Sequence, residues 1–196
     1  PKRPLDFLVV ADHAGNMGVM NSILAKDTEF LDRTNIKKYE SLLSQISTAR
    51  ERSPALAVKL SDELAYEEGF GRLTGSSKHR YSIWEKIIYA ADSHYNPGVF
   101  TAFIGYEWTS WPYNLHRVVI FKDDGNKASK VTPFSHFDSF DPEDLWKYME
   151  DYESLTGGSV LAIPHNGNKS AGVMFALQDA KGNPLTVSYA KRRSRW

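Results

Sequence analysis

Short apolar runs along the chain predict four strands. Residues 5–11 (LDFLVVA) are rich in strand-forming side chains, and the polar pair Asp12-His13 follows them, which is typical of a buried parallel strand. Residues 100–108 (FTAFIGYEW), 117–121 (RVVIF) and 159–163 (SVLAI) predict the other three strands. A histidine or a glutamate lies at or beside one end of every run.

Apolar residues at three- and four-residue spacing predict helices between these strands. One helix is predicted over residues 35–52, and Ser53-Pro54 ends it and starts a second helix that reaches about residue 68. A third helix carries the apolar stripe around Trp84, and a fourth begins at Ser139 or Asp141 and reaches about residue 152.

The order of these elements is strand, helices, strand, strand, helix, strand. This order is typical of an α/β fold with a largely parallel sheet. A chain of 196 residues is long enough for one domain with a sizeable core, so residues 1–196 are predicted to form a single domain. In barrels and open α/β sheets, active sites lie where the strands end.

The balance of charges excludes some classes of partner. Lysine plus arginine equal aspartate plus glutamate at 24 each, so no overall field attracts nucleic acid or an anionic membrane, and a small-molecule substrate is expected. No run of about 18 apolar residues predicts a membrane helix, and no signal peptide opens the chain. Because Pro1 is not a natural start, the compartment stays open between the cytoplasm and export.

The chain has no cysteine, which excludes disulfides, thiolate zinc sites and cysteine nucleophiles. No G-x-S-x-G motif supports a serine nucleophile either. Histidine and carboxylate are the ligands that zinc, manganese and iron accept when thiols are absent. Four segments place such residues at or beside predicted strand ends; they contain Asp12-His13, Glu107, His116 and His165. We therefore expect these segments to form one metal site that activates water for hydrolysis.

Other polar and aromatic residues allow two interpretations each. The aromatic residues Trp108, Trp111 and Tyr113 either line a substrate pocket or simply pack. Asn166 and Asn168 either bind a substrate oxygen or shape the turn that Gly167 permits. The remaining histidines are expected in surface or capping roles; they are His79, His94 and His136.

Four segments together resemble a known family; they read LDFLVVADHAG, FTAFIGYEWTS, NLHRVVIF and VLAIPHNGN. The resemblance is to the polymerase-and-histidinol-phosphatase (PHP) superfamily and, within it, to the DUF3604 family. It covers nearly the whole chain, and GYEW, NLHR and IPHNGN in this order are its most specific part. It implies a distorted β/α barrel with divalent metals at the C-terminal ends of its strands.

Metal roles follow from the resemblance alone. It implies that Glu107 bridges two ions, that His116 and His165 complete one of them, and that His13 is a further metal ligand. Asp12 would support or join His13, and Asp12, Glu107 and Asn166 are the residues assigned to catalysis. Many such proteins hydrolyse phosphoesters, so a phosphoesterase is the leading hypothesis. The alternatives are amide or ester hydrolysis, or an inactive binding module.

Two motifs of the family are missing from this chain. The family opens with a His-x-His pair and closes with an Asp-x-His pair, and neither is present. The sequence therefore predicts a partial barrel, truncated at both ends, that holds its metal weakly or incompletely. A chain without its terminal strands exposes the edges of its sheet. We therefore expect either self-association through these edges or an open sheet whose edges are covered by the chain's own loops.

Overall fold

The protein is described here by a computed structural model that covers residues 3–27, 33–66, 77–110 and 113–195. The chain divides into two compact units. One unit is formed by Pro1–Gly15 together with Trp84–Trp196, and the other by Asn16–Ile83. The prediction of a single domain stays a prediction.

The first unit contains a four-stranded sheet in the order β1-β2-β3-β4. Its strands are β1 (Phe7–Val9), β2 (Thr101–Trp108), β3 (Arg117–Phe121) and β4 (Val160–Pro164). Strand β1 pairs with β2 in parallel, whereas the β2–β3 and β3–β4 pairs are antiparallel. All four predicted strands are confirmed.

The prediction of a largely parallel sheet is wrong, because two of its three pairings are antiparallel. The reason is clearest between β2 and β3, where only residues 109–116 connect the strands. A parallel pair needs a crossover of a dozen or more residues, so this connection permits only an antiparallel return. The described residues form an open α/β sheet, and the barrel stays a prediction.

Strand β1 is parallel to its neighbour, but it is not buried. Phe7 is 65% exposed and Leu8 is 44% exposed, although these side chains alternate between opposite faces of the sheet. Strand β1 stands at one end of the strand order, so described residues pair with it on one side only. The expected burial of this strand is therefore wrong, and self-association through sheet edges stays a prediction.

The described residues of the second unit are mainly helical. They include α1 (Val19–Leu24), α2 (Arg33–Arg52) and α3 (Pro54–Tyr66). Helices α2 and α3 pack on each other, and they bury small and aliphatic side chains such as Ile46, Ala49 and Ala57. The helix break predicted at Ser53-Pro54 is confirmed, because proline is compatible with the first turn of α3.

The described residues form four further α-helices; they are α4 (Ser77–His94), α5 (Gly125–Ala128), α6 (Pro142–Thr156) and α7 (Val187–Arg193). Asp141 caps α6 by accepting a hydrogen bond from the Glu143 amide at 2.9 Å, and Gly157 ends the helix in a left-handed conformation. The fourth predicted helix is thus confirmed with Asp141 as its cap. Among the described residues, no helix is both long and apolar enough to cross a membrane.

One face of the sheet forms the core of the first unit. The side chains of Ile104, Tyr106 and Trp108 alternate onto this face of β2 and are buried. Their neighbours in the core come from β3 and from the helices; they include Val119, Phe121, Trp84, Leu145, Met149 and Tyr152. We call this side the back face of the sheet, and the opposite side its front face.

Asp123 joins the segment after β3 to the start of β4. Its Oδ2 accepts hydrogen bonds from the Tyr152 hydroxyl at 3.0 Å and the Ser159 amide at 2.7 Å, and Lys127 lies 3.1 Å from Oδ1. Partial burial alone would raise the pKa of Asp123, but the bonds from Ser159, Lys127 and Tyr152 outweigh it. The pKa therefore lies below its ordinary value of 3.8.

Replacing Asp123 with alanine is expected to lower the free energy of unfolding by about 2 kcal/mol, because the Ser159 amide and the Tyr152 hydroxyl lose a charged acceptor. A carboxyl group whose pKa falls on folding stabilises the protein above its unfolded-state pKa. That contribution is lost as the pH falls through the lower folded-state pKa. Urea unfolding of both proteins at pH 7 and below pH 3.8 should therefore show a difference that shrinks in acid.

Asp151→Ala is the matched control, since exposed Asp151 pairs, within the part of the chain that the structure describes, only with Lys147 on the same helix, at 2.9 Å. Its expected effect is less than about 0.5 kcal/mol. Equal effects of the two variants, or a difference that grows in acid, would contradict the role given to Asp123.

Candidate metal site

The pleat of the sheet decides which side chains share its front face. Side chains alternate along each strand, and paired residues project on the same side. In β2, Phe103, Gly105 and Glu107 face the front, and Val118 of β3 is the antiparallel partner of Glu107. The parallel register of β1 continues beyond the strand, so that His13 bridges to Glu107.

Strand direction brings the four predicted segments to one edge. Since β3 runs antiparallel to β2 and β4, its beginning lies beside the ends of the other strands. His116 immediately precedes β3, and His165 immediately follows β4, where its amide bonds to the His116 carbonyl at 3.1 Å. Each strand therefore brings one residue to this edge, but β3 does so at its N-terminal end rather than at the expected C-terminal end.

Glu107 lies at the centre of the group. Its Oε1 is 2.6 Å from Nδ1 of His116 and 3.3 Å from Nδ1 of His13, and its Oε2 is 3.5 Å from Nε2 of His165. The two carboxylate oxygens thus face different histidines. Because a carboxylate can only accept, Nδ1 of His116 is the donor in this short contact.

Thr109 is a member of the site that sequence reasoning missed. Its hydroxyl hydrogen-bonds to Nδ1 of His13. Thr109 follows Glu107 by two positions, so the alternation of β2 continues to the front face and places it there. That periodicity was the available signal, because the GYEWTS segment contains both residues.

The carboxyl group of Glu107 is held in its charged form. Burial, the largest influence, raises its pKa, but the hydrogen bond from His116 and the charges of His13, His116 and His165 together lower it below the ordinary value of 4.5. At neutral pH the site therefore contains a carboxylate among three imidazoles. This is the charge state that a cation requires.

His165 differs from the other two histidines in its second ring nitrogen. Nδ1 of His165 is fully buried and has no hydrogen-bond partner among the described residues. A histidine that binds a metal usually has this second nitrogen satisfied by a carboxylate, a carbonyl or a water. On the described residues alone, His165 is the least supported of the three rings.

Asp12 and Asn166 stand apart from this group. The Asp12 side chain is exposed, and its backbone carbonyl accepts the Glu107 amide at 2.8 Å. Asn166 adopts a left-handed conformation with φ of 60° at the start of a 3₁₀ turn, Gly167–Lys169. The structure gives Asp12 a contact to the site through its backbone and gives Asn166 a role in the turn, and their predicted catalytic roles stay predictions.

The aromatic residues that follow Glu107 differ in their burial. Trp108 is fully buried on the back face, and its indole donates to the Ser139 carbonyl at 3.3 Å. It therefore packs in the core and does not line a substrate pocket. Tyr113 is about half exposed, and Trp111 lies outside the described residues.

Of the three histidines expected in surface or capping roles, His79 is buried and His136 is half-buried, whereas His94 is exposed. His94 is exposed and bonds through Nδ1 to the Ala90 carbonyl at 2.8 Å, so its capping role is confirmed. His79 is fully buried, and a surface role is wrong for it. His136 is half-buried and lies within electrostatic reach of His13 and His116.

The donor atoms of the group fit a transition-metal ion. One ligand atom each from His13, Glu107 and His116 lie within 4.8 Å of one another. Imidazole nitrogen and carboxylate oxygen are the donors that zinc, manganese and iron(II) accept, whereas calcium and magnesium prefer oxygen alone. Close contacts between a carboxylate and imidazoles are common without an ion, so the fit rests on this donor set and on the position of Glu107 between the rings.

Comparison with known proteins adds one match. The model of a family described as "Protein of unknown function (DUF3604)" matches residues 2–196. No curated protein and no solved structure matches the chain.

Proposed function

The chain belongs to the DUF3604 family, and we propose that it is a metal-dependent hydrolase of the PHP type that acts on phosphoesters. The observation that carries this proposal is the arrangement around Glu107, whose two oxygens face different histidines. A bridging carboxylate requires such an arrangement. Glu107 together with His13, His116 and His165 would hold the ions.

When bound, divalent ions in such a site activate water and neutralise charge on a transferring group. The residues of the chain hold these ions in place. Thr109 orients the imidazole of His13, and the backbone bond from Glu107 to Asp12 keeps the two ligand-bearing strands in register. A site that is fixed by strand register holds its ligands more precisely than one built on loops.

A phosphoester suits this site for an electrostatic reason. The hydrogen bond and the charges that lower the Glu107 pKa against the effect of burial come from His13, His116 and His165, not from a lysine or arginine of the described residues. Among the described residues, the positive charge that a phosphoryl group needs would therefore come from the ions. Amide or ester hydrolysis makes a weaker demand on that charge, and it is the alternative for the same site.

The barrel and the remaining ligands of a PHP-type site belong to the same proposal. The half-exposed apolar side chains of Leu161 and Ile163 on the front face are compatible with a barrel whose interior lies on this side of the sheet. Asp12 and Asn166 would then act on the substrate or support the ligands.

Metal removal followed by metal return tests the proposal. The chain is treated with a chelator, and hydrolysis of p-nitrophenyl phosphate and p-nitrophenyl acetate is measured before and after addition of Mn²⁺ or Zn²⁺. We expect phosphate-ester hydrolysis to disappear with the metal and to return with it.

Metal-restored hydrolysis of the acetate alone would replace the phosphoesterase by an esterase. Stoichiometric metal binding without hydrolysis of either ester would favour an inactive binding module. Hydrolysis that survives the chelator would contradict a metal-dependent reaction.

A further inference from the structure

His136 lies next to the segment that carries His13. Its imidazole packs on the α-carbon of Gly15, two residues after His13, and a β-carbon at Gly15 would overlap the ring. Since only glycine leaves this space, the close approach of the two segments depends on both residues. Nothing in the apolar pattern of the chain pointed to His136, because it lies in the loop between α5 and α6.

The ring of His136 is held by its surroundings. It packs against Phe137 with ring centroids 4.0 Å apart and stacks near Phe140 at 6.0 Å with an interplanar angle of 20°. Before it in the chain, buried Ser135 binds Asp138 Oδ2 through its amide at 2.8 Å and its hydroxyl at 2.9 Å. The loop therefore presents this imidazole in one orientation.

The two ring nitrogens of His136 have different environments. Nδ1 is fully buried without a hydrogen-bond partner among the described residues. A buried N–H without an acceptor is rarer than a buried acceptor without a donor, so the proton of the neutral ring belongs on Nε2. Nε2 is then the hydrogen-bond donor of this ring.

Electrostatics agree with a neutral ring close to the metal site. Burial lowers the pKa of His136; Asp138 raises it, and the charges of His13 and His116 lower it further, with a net lowering below 6.5. The contact of the ring with Gly15, two residues after His13, places His136 beside the segment that carries this histidine. A neutral donor there does not compete with a cation for the carboxylate.

We propose that His136 is a ligand-positioning residue of the Glu107 site, whose Nε2–H donates a hydrogen bond to an oxyanion held at that site. The inference rests on the proposed function, because the oxyanion is the phosphoryl group of the substrate or product. His136 would thus contact the bound oxyanion without being one of the metal ligands.

Binding of inorganic phosphate to the Mn²⁺-loaded chain tests this role by calorimetry. We expect His136→Phe, which keeps an aromatic ring on Gly15, to weaken phosphate binding by about tenfold to a hundredfold, the usual loss for a hydrogen bond to a charged group. His136→Gln, which retains an N–H donor at the ε position, should recover part of the affinity. Mn²⁺ affinity, measured on the same proteins, should stay within about twofold.

Two further variants guard against a general effect on folding. His94→Phe, at the exposed end of α4, should leave phosphate binding unchanged. Gly15→Ala keeps the imidazole but displaces it, and it should weaken phosphate binding as His136→Phe does.

Unchanged phosphate affinity in His136→Phe would overturn the positioning role while the metal site and the proposed function stand. A loss of Mn²⁺ affinity in His136→Phe would also overturn it, since the residue would then be a metal ligand. Failure of the wild-type chain to bind Mn²⁺ would overturn both this inference and the proposed function.

Discussion

Glu107→Gln is expected to weaken Mn²⁺ or Zn²⁺ binding by about a hundredfold or more. Loss of an outer-shell partner alone typically costs tenfold to a hundredfold in metal affinity, and Glu107 is placed as a ligand to both ions. Glutamine keeps the shape of the side chain but removes the negative charge that faces His13, His116 and His165. Calorimetric titration of metal into the chelator-treated chain measures the difference.

Glu85→Gln is the matched control, because Glu85 is an exposed carboxylate on α4. It should leave metal affinity unchanged. Circular dichroism should show the same fold for both variants, since an amide replaces a carboxylate of the same shape. Metal affinity within threefold of wild type in Glu107→Gln would rule out Glu107 as the central ligand.

The meeting of the four predicted segments follows from simple features of the sequence. Each candidate residue stands at or beside an apolar run, and the ends of neighbouring strands lie at one edge of a sheet. Side-chain alternation then decides which residues share a face. By this alternation, His13 and Glu107 share the front face, and Asp12, one position earlier, projects away from it.

The direction of the strands could not be predicted in the same way. A short apolar run such as residues 117–121 has the same composition in a parallel and in an antiparallel pair, and only the length of its connections distinguishes the two. His116 reaches the site because β3 is antiparallel. The place of His116 at this edge was therefore predicted together with the wrong strand direction.

Burial of individual aromatic and histidine side chains depends on tertiary packing that a local pattern does not contain. Trp108 and Glu107 are adjacent in sequence, yet one enters the core and the other the site. His136 gave no local signal either, since its position depends on Gly15, more than a hundred residues away. Contacts of this kind are visible only once the fold brings the segments together.

The front-face site depends on the back-face core, and Trp84 is the side chain that tests this dependence. Trp84 is fully buried, with ring centroids 6.0 Å from Tyr106 and 5.7 Å from Phe121, and its indole N–H donates to the Ala128 carbonyl at 3.1 Å. Tyr106 directly precedes Glu107 in β2. Loss of Trp84 therefore removes support behind the strand that carries the central ligand.

Trp84→Ala is expected to lower the free energy of unfolding by about 3–5 kcal/mol, the range for deleting a buried aromatic side chain, because a cavity replaces the indole and the Ala128 carbonyl loses its donor. Tyr89→Ala on the same helix is the control, since Tyr89 is 76% exposed, and its effect should stay within about 0.5 kcal/mol. Both are measured by urea unfolding of metal-free protein. Saturating Mn²⁺ should restore part of the stability lost in Trp84→Ala, because an ion that binds only the folded state stabilises it by mass action. Equal stability of the two variants would contradict this account of the core, and the absence of any stabilisation by Mn²⁺ in either variant would contradict a metal site on the front face.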